Sequence, residues 1–142
     1  MSDALPQWLE DYAQECRVLF GLEVWEIVVN VVDAPDGDKD NDGFSWVNVR
    51  YLSAKIELRR DQTDVQFRSV MMHEMLHVAL APISQAHMRL FELLPKKLRR
   101  HVKDICNDGL EQTIERLTRA LQREITPSKT KDAVASCDPP TR

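Results

Sequence analysis

The feature that most constrains this chain is the pentapeptide His73-Glu74-Met75-Leu76-His77, set inside the apolar run Val70-Met71-Met72-His73-Glu74-Met75-Leu76-His77-Val78-Ala79-Leu80. Residues four apart on an α-helix lie one above the other, so a helix here aims both imidazoles at one point and projects Glu74 beside them. Two histidines and a carboxylate at this spacing suit a zinc ion and a water whose proton the carboxylate takes. A carboxylate among apolar neighbours is costly to bury without a purpose, which favours this reading over a half-exposed helix with accidental histidines.

Two histidines leave a tetrahedral zinc one protein ligand short. A histidine six residues after His77 would complete the short metzincin pattern, but that position is Ile83. A glutamate on a later helix is another solution, and Glu111 in Leu110-Glu111-Gln112-Thr113-Ile114-Glu115 is placed to supply it. Glu115 lies one turn further on the same face, where it can accept a hydrogen bond from the non-metal nitrogen of His73. His87 and His101 compete with Glu111 for the third position. With Tyr51, they are also the candidate hydrogen-bond donors to a transition state.

Around the motif, the pattern predicts an α+β fold. Trp8, Leu9, Tyr12, Ala13, Cys16, Leu19 and Phe20 recur at helical spacing between Pro6 and Gly21, giving an N-terminal helix. Residues 24–32 are rich in β-branched side chains, and residues 44–50 and 54–59 alternate, so about three strands form a small, mainly antiparallel sheet. Thr63 and Gln66 can cap the motif helix, which Pro82 should end by Ala81. Ser84 then caps a helix over residues 84–94, Pro95 opens or kinks the next, and Asn107-Asp108-Gly109 breaks the chain before a final helix over 110–123. Met71, Met72 and Met75 read as core filling.

One domain over residues 1–125 is expected, with 126–142, proline-bearing and poor in apolar residues, as a disordered tail. The N-terminus has no basic start followed by an apolar stretch, and no run reaches the ~18–20 apolar residues of a membrane span, so the chain reads as cytoplasmic. Cys16, Cys106 and Cys137, odd in number and widely spaced, read as reduced thiols. A net charge of −4 gives no general attraction to nucleic acid. The basic run 96–103 carries Leu98 and Val102 as an apolar stripe, so its charges read as the solvated side of a helix, with contact to phosphates or an acidic partner as the alternative. Asp38-Lys39-Asp40-Asn41-Asp42-Gly43 opens like a calcium loop, but its twelfth position is Val49 in place of a bidentate Glu, so it reads as an acidic turn.

His73-Glu-x-x-His77 followed by Glu111-x-x-x-Glu115 resembles the gluzincin pattern, with Glu115 where that family usually has Asp or a similar residue. In so short a chain, the order of N-terminal helix, small sheet, motif helix and glutamate helix is similar to the minimal zincin-like proteins of phages and prophages, including the ImmA/IrrE-like metallopeptidases. The resemblance implies a zinc peptidase with His73, His77 and Glu111 on Zn2+, Glu74 as general base, and a protein or peptide substrate. It also implies that residues 54–59 form a sheet edge beside the cleft, available to pair with an extended peptide. Two alternatives stand beside it. One is a zinc-stabilised binding or regulatory protein on the same fold, and the other is a helical scaffold without metal.

Overall fold

The computed structural model describes residues 5–125, so the expected tail at 126–142, and Cys137 within it, lie outside the described residues. Helix α1 (Gln7–Leu19) buries Leu9, Tyr12, Ala13 and Cys16, the face its spacing predicts. Gly21, at φ +66°, takes the left-handed turn that leads the chain away from the helix.

Strands β1 (Glu26–Val32), β2 (Gly43–Asn48) and β3 (Ser53–Arg59) form one sheet in the order β1-β3-β2. The fold is α+β as expected, but the sheet is mixed. β2 pairs antiparallel with β3 across a short turn, whereas β1 pairs parallel with β3. The third strand in sequence inserts between the other two, so residues 54–59 occupy the centre and not an edge, and the free edge nearest the motif helix belongs to β2. One face carries Ile27, Val29 and Val31 beside Ala54, Ile56 and Leu58, flanked by Gly43, Ser45 and Val47. It closes on the helices. On the other face Trp46 meets Phe44 edge-on, with ring centres 4.6 Å apart, and Lys55 lies over the indole at 5.0 Å.

Helix α2 (Asp64–Glu92) starts at the predicted capping box, with Thr63 and Gln66 satisfying each other's free N–H groups. It does not stop at Pro82. A proline here removes the N–H that would serve the Val78 carbonyl, a cost of ~3 kcal/mol or more. Burial of Phe91, in the part of the helix beyond Pro82, opposes that cost. Likewise α3 (Lys96–Ile125) passes without interruption through Asn107-Asp108-Gly109. Two long helices therefore replace the shorter ones expected between Asp64 and Arg123. Both overrides have one cause: α2 and α3 pack along each other, and tertiary contact outweighs weak helix propensity.

The main buried cluster joins α1, the inner sheet face, Met71, Met72, Met75, Leu76 and Val78 of α2, and Ile114 of α3. The three methionines are fully buried. α2 is the spine of the fold, in contact with α1, β2, β3 and α3. Among the described residues, no helix is long and apolar enough to cross a membrane.

Candidate metal centre

His73 and His77, one turn apart on α2, turn their rings toward α3, and the two Nε2 atoms lie 3.1 Å apart. Glu111 on α3 brings Oε2 to 3.5 Å from His73 Nε2 and Oε1 to 3.3 Å from His77 Nε2. These three residues are the metal-capable cluster among the described residues. The spacing fits one ion. Ligand bonds of about 2.0–2.1 Å directed to the corners of a tetrahedron place donor atoms about 3.3 Å from each other. Two nitrogens and a carboxylate are a donor set that zinc accepts, and three protein ligands leave the fourth position of a tetrahedron to water.

The protonation state suits the same role. Burial holds the His77 imidazole toward its neutral form, against the pull of the Glu111 carboxylate and with a further push from His73. A neutral imidazole has the lone pair that a metal requires.

Glu115 faces the other nitrogen of His73, Nδ1, at 3.8 Å. That is beyond hydrogen-bonding reach, so the contact expected from the sequence is a facing charge and not a bond. Glu115 is itself held: Arg119 donates from Nε and Nη2 to Glu115 Oε1 at 2.8 and 2.7 Å, leaving Oε2 toward the histidine. Arg119 is legible in the sequence only as an arginine four residues after a glutamate on a helix, a local signal for such a pair.

Glu74 is only 6% exposed. Its side chain lies against β2, where Ser45 is its hydrogen-bond partner. Burial, opposed by that bond and aided by the Glu111 charge, pushes its carboxyl up to about 7. Gly43 makes this approach possible, since a Cβ there would overlap Val70 Cγ1 and come within 3.2 Å of Glu74 Oε1. Neither Gly43 nor Ser45 stands out in the sequence, because their role depends on a strand-to-helix contact far apart in the chain.

The remaining candidates lie outside the cluster. His87 lines a groove of about 340 Å³ between α2 and α3, together with Ile83, Met88 and Cys106. His101 is exposed in the basic run, and Tyr51 is 69% exposed in the turn between β2 and β3. In the acidic turn, Asp38 accepts from the Asp40 N–H and Asp42 pairs with Arg59 at 3.0 Å. Cys16 and Cys106 are free thiols. No family model, curated protein or solved structure matches the chain.

Proposed function

We propose that this protein is a zinc-dependent metallopeptidase of the zincin-like, gluzincin type, acting on a protein or peptide. One observation carries the proposal: His73, His77 and Glu111 converge at the spacing one ion needs, with the buried Glu74 next to the first of them. When bound there, zinc supplies Lewis acidity and lowers the pKa of a coordinated water toward about 7. Glu74 is the base. Its carboxylate, buried beside His73, would take a proton from the attacking water and, once protonated, deliver it to the leaving amine. Ser45 orients the carboxylate, and Gly43 admits it to the space under β2. The free edge of β2 takes the part assigned to residues 54–59 from sequence: an extended peptide pairs with its unused backbone groups.

The test is Glu74→Gln. The variant is expected to bind zinc like the parent and to lose about 10²–10⁴-fold in cleavage of a peptide identified from a library with a chelator control. Undiminished cleavage by the zinc-loaded variant would refute the mechanism. The exposure of Glu111, 56% at its side chain, favours a second reading, in which the site stabilises a binding or regulatory protein. Stoichiometric zinc with no cleavage across the library is its expected outcome.

A further inference from the structure

The main core draws on α2 only as far as Leu80 and on α3 only from Leu110 onward. The segments between them form a helical hairpin that runs past the core for about 20 Å, the length of residues 80–92 at the helical rise. Its tip is firmly built. Arg99 donates to the Leu94 carbonyl at 2.8 Å and the Glu92 carbonyl at 2.6 Å, closing the end of α2 over the connection to α3.

Two properties coincide at this tip. Large aliphatic side chains stand in solvent, with Leu93 81%, Leu90 58% and Leu98 50% exposed. The stripe that the sequence suggested would turn Leu98 inward does not bury it. Around these leucines, residues 89–103 hold six of the chain's 19 basic side chains and one of its 23 carboxylates, in a protein of net charge −4. Lys96, Lys97, Arg100 and Lys103 are all exposed.

From this juxtaposition we propose that the α2–α3 hairpin tip docks on an anionic lipid surface, with Leu93 entering the interface and Lys96, Lys97, Arg100 and Lys103 meeting the headgroups. A bilayer interface accepts apolar and cationic groups side by side, because aliphatic groups enter the acyl boundary while basic side chains snorkel to phosphates and carboxylates. A duplex nucleic acid meets the charges equally well but offers nothing to a leucine at the apex of the surface. The opposite charge of the chain as a whole favours one orientation, tip toward the membrane. This inference stands apart from the metal site, which lies at the other end of the hairpin.

The experiment sediments the full-length chain with vesicles of phosphatidylcholine alone and with about 30% phosphatidylserine. Binding is expected to the anionic vesicles and to be lost in about 0.5 M salt. Each basic group near such a surface contributes about fivefold in partitioning, so reversing two of them in K96E/K97E should lower it by two orders of magnitude or more. Leu93→Ser, exposed and harmless to the core, should lower it about tenfold. Absence of binding to anionic vesicles overturns the proposal, as does equal binding by either variant. Tight binding of a short DNA duplex, insensitive to Leu93→Ser, would assign the tip to nucleic acid instead.

Discussion

Replacing Glu111 by glutamine keeps the shape of the side chain and one carbonyl oxygen but removes the charge that faces the two histidines. If the three donors hold one ion, zinc at a hundred times its dissociation constant stabilises the parent by about 2.7 kcal/mol. Unfolding entropy of ~2.1 cal/mol/K per residue over about 120 ordered residues amounts to ~0.25 kcal/mol/K. The melting temperature should therefore rise by about 10 °C. A ligand should matter at least as much as a supporting partner, so Glu111→Gln is expected to weaken zinc about a hundredfold or more. At the same zinc concentration its shift should fall below about 2 °C. In chelator the two proteins should melt within a few degrees of each other, because the Glu111 side chain is 56% exposed and its contacts there are worth little. Thermal unfolding across a zinc titration, with a chelator arm, measures all of this. An undiminished zinc shift in the variant, or none in the parent, would refute the assignment of Glu111 as a ligand. A large loss of melting temperature in chelator would mean that the cluster is a structural contact between helices.

Gly43→Ala should cost about 1–3 kcal/mol by denaturant unfolding, since its Cβ overlaps Val70 and crowds Glu74. Gly109→Ala, in open space within a helix, should stabilise by up to ~1 kcal/mol, and equal effects at the two sites would contradict the packing described. Burial raises the Cys16 thiol from 9.0 to about 11, with Tyr12 pushed up beside it. The unfolded thiol ionises first, so this contribution is complete below about pH 9 and lost as pH rises toward about 11, a decline of up to ~3 kcal/mol that Cys16→Ala should flatten. An alkaline stability profile unchanged by that substitution would show that Cys16 is not the group responsible.

What the sequence revealed and what it concealed divide along a physical line. His73, Glu74 and His77 share a helical turn, so local periodicity displays their relation. Glu111 and Glu115 are legible for the same reason, although nothing local says which partner they meet. The continuity of α2 through Pro82 and of α3 through Gly109 was hidden, because each helix is held by the other and propensity alone argues for a break. Strand order was hidden too: β1 reaches β3 across about 20 intervening residues, and alternation in each strand is the same whether it lies at the centre or the edge. The observed order moves the candidate peptide-binding edge from β3 to β2. Ser45 and Gly43 were invisible for a related reason, since a serine and a glycine acquire a role here only when Glu74 arrives from α2.

His77 and Glu111 also stand at the two ends of a long excursion of chain. With an ion between them, the roughly 34 residues from His77 to Glu111 become a closed loop in the folded protein, and the ion opposes local opening of the arm. A covalent cross-link over that span would contribute ~4 kcal/mol through chain entropy. The ion would act as a removable version of that link. Stripping it away would return to the arm much of the freedom of an open loop, so proteolytic nicking between Leu80 and Leu110 should report metal occupancy without a substrate.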